Sequence, residues 1–388
     1  MRDETAGTWV QPVSAGVLAA IVGFASTFAV VLQGLRAAGA TPAQAASGLL
    51  SLCVVQGLLS IGLSLRWRQP INIVWSTSGV ALLIGTGAPL GGFAVTVGAF
   101  IAAGLLVVAA GLWGRFGRAV TAIPPALASA MLAGILLEIC VAPVRAVAEL
   151  PALALPIVVA WALAWQFARA YAVPIAVLVT GVVVTFATHL PAGALSDIWP
   201  HPVFTVPQFV PRVLLSIGLP LFIVTMASQN LPGLAVLRGN GYRIRVGPVF
   251  VATGLASLVA APFGGHALNL SAITASLCAG PEAHPDPARR YIASIVSACM
   301  YILLGLSAGF AAAFIAASPP LLIEAVAGLA LLGSLGGALA SALGTERERI
   351  PAVITFVVTA SGVSFFGIGA PFWGLLAGGA LWASARQL

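Results

Sequence analysis

Long apolar runs separated by short polar punctuation cover almost the entire chain, and they divide into about fourteen segments. The first half gives 13–35, 43–65, 71–86, 89–113, 119–139, 151–168 and 172–189. The second gives 213–236, 246–263, 267–280, 291–315, 319–343, 350–367 and 370–385. A continuous transmembrane helix needs about twenty apolar residues, so most segments read as spans and the shorter ones as discontinuous spans. Val13 to Leu35 is about twice the length of a signal-peptide core and reads as a retained first helix. The proline-rich stretch Pro191 to Pro211 separates the halves. The pattern predicts an all-α polytopic membrane protein.

The two halves echo each other. Segment 3 opens Pro70-Ile71-Asn72-Ile73 and segment 10 opens Ala267-Leu268-Asn269-Leu270, an offset of 269 − 72 = 197. Pro124-Pro125 answers Pro319-Pro320 at 319 − 124 = 195, and Gln33 answers Gln229 at 229 − 33 = 196. Three matches in order at nearly one offset indicate an internal repeat. Seven segments per half is an odd number, so the second half must be inverted relative to the first: a 7+7 inverted repeat.

Charge fixes an orientation. All 17 basic residues are arginine, and they lie singly or in pairs between apolar runs rather than in one patch. That distribution argues against a nucleic-acid partner despite the net charge of +7. With the N-terminus in the cytoplasm and alternating spans, only Arg36, Arg145 and Arg212 fall outside. The positive-inside rule requires such a split, and it predicts a multi-pass inner-membrane protein with both termini cytoplasmic and its loop arginines against lipid headgroups. Composition agrees, with 60% hydrophobic and 7% charged residues against the roughly 25% charged of soluble domains. No Walker sequence, HExxH or Cys/His cluster is present, so no metal, cofactor or ATP hydrolysis is expected; no paired catalytic groups are evident either, so a non-enzyme is expected, with an intramembrane enzyme as the rival reading.

Segments 3 and 10 carry the candidate chemistry. Each starts with an alternating, partly β-branched stretch and continues as a helical run, which reads as a short extended piece followed by a half-helix. Ser76, Thr77 or Ser78 would cap the first half-helix, and Asn269 or Ser271 the second. Extended backbone at membrane depth is tolerated only where protein or a water-filled cavity surrounds it. Half-helix N-termini expose free N–H groups and the positive end of the helix dipole, so a pair of them suits a carboxylate. The alternative is two short spans whose hydroxyls bond back to their own helices. Gln229 and Asn230, adjacent in segment 8, are costly in a span unless bonded, and serve either a substrate or neighbouring helices. Gln33 in segment 1 is a weaker candidate of the same kind. His266, after Gly264-Gly265, and Glu324, early in segment 12, are the candidate proton carriers. Glu138 reads as interfacial, near the end of segment 5.

At Gln69 to Thr77 and His266 to Ala275 the chain resembles the benzoate:proton symporter family of bacterial inner membranes (the BenE type), with distant similarity to uracil and xanthine permeases and sulfate-type anion transporters. Met226 to Gly233 and the paired prolines share the resemblance, which covers nearly the whole chain. It implies proton-coupled uptake of benzoate or a related aromatic carboxylate. It also implies a core domain (13–113 and 213–315), a gate domain (119–189 and 319–386) joined by a connector (190–212), and a homodimer formed through the gate. The carboxylate would take bonds from Ser76, Thr77, Ser78, Ser271 or Thr274. The ring would pack on Trp75 or Phe24, and Asn72, Asn269, Gln229 and Asn230 would complete the polar side. One departure stands out: nucleobase permeases carry acidic residues on segments 8 and 10, where this chain has Gln229, Asn230 and Asn269. A carboxylate ligand would account for that.

Overall fold

The computed structural model describes residues 9–114, 124–187, 199–363, 365–366 and 368–385. Predicted segment starts and loop arginines between 115 and 123, and the connector between 188 and 198, lie outside them.

Fourteen segments are arranged as a 7+7 inverted repeat. The first half runs α1 (Val10–Ala37), α2 (Pro42–Trp67), β1 (Ile73–Trp75) with α3 (Thr77–Thr86), α4 (Phe93–Leu112), α5 (Pro125–Glu149), α6 (Pro151–Phe167) and α7 (Ala172–Ala187). The second runs α8 (Pro211–Gly239), α9 (Val246–Ala260), β2 (Leu268–Leu270) with α10 (Ile273–Ala279), then α11 (Tyr291–Gly305) with α12 (Ala308–Ala317). It ends with α13 (Pro320–Leu343), α14 (Arg349–Ala360) and α15 (Ala370–Ala385). Among the described residues seven helices are long and apolar enough to cross a membrane, and an eighth span is a helix pair bent by 55° between Gly305 and Ala308.

Local chemistry explains the breaks. Thr41 and Gln44 cap α2 reciprocally, with Pro42 at the first helical position. At its other end Arg68 turns the chain left-handed at φ 49°. Ten residues of α3 and seven of α10 rise only about 15 and 10 Å, so neither half-helix crosses the roughly 30 Å hydrocarbon core alone.

Three segments differ from the sequence reading. Segment 11 is bent rather than continuous. Segment 13 stops at Ala360, where the chain turns at Gly362 with φ 66°. Segment 5 extends to Glu149, which places Glu138 well inside the helix, on an exposed face, and not near its end. Pro143 lies inside α5, where α13 packs against it. Gly328 is so close that a Cβ there would meet the Ile139 carbonyl and Pro143 Cδ, and Cys140 Sγ lies 3.7 Å from the Gly328 carbonyl. Ile139 is the residue whose carbonyl Pro143 cannot bond.

α5 and α13 pack along one another more extensively than any other pair. α4 lies along α9, and α1 and α2 both lie along α11. A separate apolar cluster joins α5, α6, α7 and α13 through Ala146, Ile157, Val184 and Leu322.

Candidate functional site

β1 and β2 meet antiparallel inside the helical bundle, with Ile73, Val74 and Trp75 opposite Leu270, Asn269 and Leu268. The pairing is extended by two backbone bonds, Ser76 N–H to the Ala267 carbonyl and Ser271 N–H to the Asn72 carbonyl, each 2.9 Å. A two-stranded ribbon in an apolar interior leaves its outer edges unpaired unless side chains serve them. Ser60 Oγ on α2 bonds both the Ile73 N–H (2.9 Å) and its carbonyl, and Ser64 does the same for Ile71. On the far edge Ser257 Oγ on α9 accepts the Leu268 N–H at 2.9 Å, and Asn230 Oδ1 accepts the Leu270 N–H at 3.0 Å.

Each strand delivers the chain into a capped half-helix. Ser76 Oγ accepts the Gly79 N–H at 3.1 Å, and Ser271 Oγ accepts the Thr274 N–H at 3.0 Å. Of the first amides of α3, those of Thr77 and Ser78 have no acceptor within the helix. α8 carries two π-helical turns, Leu214–Gly218 and Met226–Asn230. Such turns insert an extra residue and re-aim the side chains around them. Around the second, Thr225 donates to Ser76 Oγ (2.9 Å), Gln229 Nε2 donates to Ser78 Oγ (3.0 Å), and Asn230 reaches β2.

These elements bound a hollow of about 230 Å³ between α1, the two strand–helix breaks, α11 and the α7–α13 side. An apolar cavity of about 150 Å³ already accepts a benzene ring. One wall is aromatic. Trp75 and Tyr301 stand edge to face with centroids 5.4 Å apart, and Phe24 packs behind them at 6.0 and 6.4 Å. Trp75 Nε1 donates to Thr27 Oγ1 at 3.1 Å. The polar lining comes from Ser26, Thr27, Thr77, Gln229, Ser271, Thr274 and Ser334, with Arg169 on the turn between α6 and α7.

A second hollow, of about 410 Å³, is lined by Gln33, Arg36, Ile84, Ser318, Ile323 and Glu324. Three helices line both, at different heights. α1 gives Thr27 to one and Gln33 to the other, α3 gives Thr77 and Ile84, and α13 gives Ala330 and Glu324. Six or seven helical residues separate each pair, about 9–10 Å. At the intervening height stand Val30, Val31 and Leu32 of α1, Val80 and Ala81 of α3, and Val326 and Ala327 of α13, all buried.

Of the residues singled out from sequence, Trp75, Thr77, Gln229, Ser271 and Thr274 line the first hollow together. Phe24, Ser76 and Ser78 stand directly behind it through the contacts above. Asn72, Asn230 and Asn269 are not among its lining. They are buried and bond protein: Asn72 Nδ2 to Cys278 Sγ (3.4 Å), Asn230 to β2, and Asn269 Nδ2 to the Leu270 carbonyl (2.9 Å). Asn230 and Asn269 serve the Leu270 backbone, an irregular stretch that needs side-chain partners at this depth, whereas Asn72 bonds a side chain of α10. Gln33 and Glu324 belong to the second hollow. His266 is fully buried, its Nε2–H donating to the Ser76 carbonyl at 3.0 Å. Sequence reasoning missed Arg169, Tyr301 and Thr27. Arg169 reads as one more loop arginine, and the other two gave no signal within their own spans.

A fourteen-segment inverted repeat with two broken spans around a polar hollow defines a membrane transport protein. The chain matches the benzoate membrane transport protein (BenE) family over residues 7–383 and belongs to it. It is 41% identical over 370 residues to the inner membrane protein YdcO of Escherichia coli K12, covering 94% of this chain and 93% of that protein. It is 32% identical over 365 residues to the benzoate membrane transport protein of Acinetobacter baylyi, covering 94% and 92%. Its fold is shared with the transmembrane domain of the cyanobacterial bicarbonate transporter BicA (TM-score 0.60, 15% identity, 95% of this chain and 97% of that one). The murine anion transporter Slc26a9 in its inward-facing state has it too (TM-score 0.62, 13% identity, 98% and 69%).

Proposed function

We propose that this protein is a secondary active transporter that imports benzoate or a related aromatic carboxylate together with protons across the bacterial inner membrane. The observation that carries the reading is the first hollow, where an aromatic wall of Trp75 and Tyr301 faces the amide end of α3 and a ring of hydroxyls. A flat ring needs apolar faces, and its carboxylate needs donors without a competing acidic side chain. Gln229 meets the second condition where an acid would repel the ligand. Carboxylate oxygens would accept from the Thr77 and Ser78 amides and from the Thr77, Ser271 and Thr274 hydroxyls.

The paired hollows support alternating access rather than a channel, because buried aliphatic side chains fill the height between them. In this reading segments 1–4 with 8–11 form a core that slides against a gate of segments 5–7 with 12–14. The close packing of α5 on α13 suits a static gate and a homodimer through it. The N-terminus is cytoplasmic, following the arginine distribution. Glu324 is the better placed proton carrier, since it lines a hollow on the seam, whereas His266 is sealed behind Ser76. Two relatives, a benzoate membrane transport protein and an inner membrane protein, support this assignment.

The test is uptake of labelled benzoate into proteoliposomes under an imposed pH gradient, with uracil, sulfate and bicarbonate as competitors. Saturable accumulation displaced by aromatic carboxylates alone is expected. Displacement by sulfate or bicarbonate would favour an inorganic-anion transporter of the same fold, and displacement by uracil a nucleobase transporter. Benzoate flux that never saturates or rises above equilibrium would favour a channel-like anion pathway.

A further inference from the structure

We infer that Arg169 is the charge-selecting residue of the first hollow, supplying the full positive charge that pairs with a carboxylate there. The inference rests on the function proposed above and deepens it. Arg169 carries the one charge among the residues lining that hollow, and it is an exposed residue on the turn between α6 and α7 rather than part of either half-helix. Its guanidinium lies over the Trp165 ring, 5.1 Å from the centroid. A guanidinium over an aromatic ring still has N–H groups to offer a carboxylate bidentately. The half-helix end supplies only partial charge, about half an elementary unit, whereas the guanidinium matches the ligand's charge in full.

The division of labour has a consequence. Most hydroxyls and amides come from α1, α3, α8 and β2–α10, with Ser334 from α13, and the cation comes from the α6–α7 turn. A carboxylate in the hollow therefore bridges both sides of the seam, and Arg169 distinguishes an anion from a neutral molecule of the same shape.

The experiment compares Arg169→Gln and Arg169→Lys with the parent protein in nanodiscs, titrating benzoate and its neutral isostere benzamide by calorimetry and recording the ligand-free unfolding temperature. Arg169→Gln is expected to weaken benzoate about tenfold or more while leaving benzamide binding and the unfolding temperature unchanged. Arg169→Lys, which keeps the charge and loses the fork, should fall between. Benzoate binding unaltered in Arg169→Gln would overturn the inference, as would a loss shared equally by benzamide or a lowered unfolding temperature, either of which marks a structural arginine. Failure of the parent protein to bind any aromatic carboxylate is a separate result: it would remove the functional reading underneath, and this inference with it.

Discussion

Ser60 and Ser257 do the same job on opposite sides of the strand pair. Each sits on the helix preceding its strand, each is buried, and each places its hydroxyl on the outer backbone edge, Ser60 on Ile73 and Ser257 on Leu268. Their separation is 257 − 60 = 197, the offset that relates Asn72 to Asn269. The repeat thus conserves a way of keeping extended backbone inside a membrane as well as the order of its segments.

Removing either hydroxyl strands a buried amide. Ser60→Ala and Ser257→Ala should each cost about 1–3 kcal/mol of stability. The double substitution should cost more than either alone, because the two serines hold different edges of one ribbon. Thermal unfolding of the detergent-solubilised variants measures this. Unchanged midpoints in both single variants would mean that water, rather than the serines, satisfies the edges.

Gln229 tests the sign of the hollow. Gln229→Glu places a carboxylate beside Ser78, Thr77 and Ser271, and at effective protein dielectric a like charge a few ångströms away should weaken benzoate roughly tenfold or more. Gln229→Leu, which removes the Ser78 bond without adding charge, should cost less. A titration in which the Glu variant binds benzoate as well as the Leu variant would place the carboxylate elsewhere.

Gly23 sets the distance of the aromatic wall. A Cβ at that position would collide with the Tyr301 hydroxyl and press on Thr274 Cγ2 at 3.1 Å. Gly23→Ala should therefore push Tyr301 into the hollow and raise the half-saturation concentration for benzoate several-fold. Adding Tyr301→Phe removes the colliding oxygen and should restore much of the affinity. An uptake series in which the double variant is worse than Gly23→Ala would show that the hydroxyl has a binding role of its own.

The contrast between the three asparagines and these residues shows what the sequence could and could not say. Alternation at Ile71 to Val74, followed by Ser76, predicts the strand, the break and the capped half-helix, because short-range sterics and capping decide them. The arginine asymmetry and the repeated Asn72/Asn269 predict the segment count and the inversion. Whether an amide faces a ligand or a neighbouring strand is decided by tertiary geometry. Asn230 looks no different from Gln229 in sequence, yet within one π-helical turn one reaches β2 and the other the hollow. Arg169 was hidden for the opposite reason. An arginine between two apolar runs is the ordinary topology signal, and only folding brings it beside Thr274 and Gln229 in one lining.

Glu324 and His266 divide on proton coupling. Glu324 shares the second hollow with Gln33 and Arg36, across the seam along which the proposed core would slide. In the function proposed above, this carboxylate would be the carrier of the coupled proton. Glu324→Gln fixes the neutral form, so the variant should still bind benzoate and exchange it across the membrane, yet lose accumulation driven by a pH gradient. His266→Gln removes the ring from the Ser76 carbonyl and should lower stability first, leaving any surviving transport still responsive to pH. Counterflow and gradient-driven uptake measured on the same proteoliposomes separate the two. Full gradient-driven accumulation by Glu324→Gln would reject the carboxylate as the carrier and turn attention to His266, whose Nδ1 is buried with no hydrogen-bond partner among the described residues.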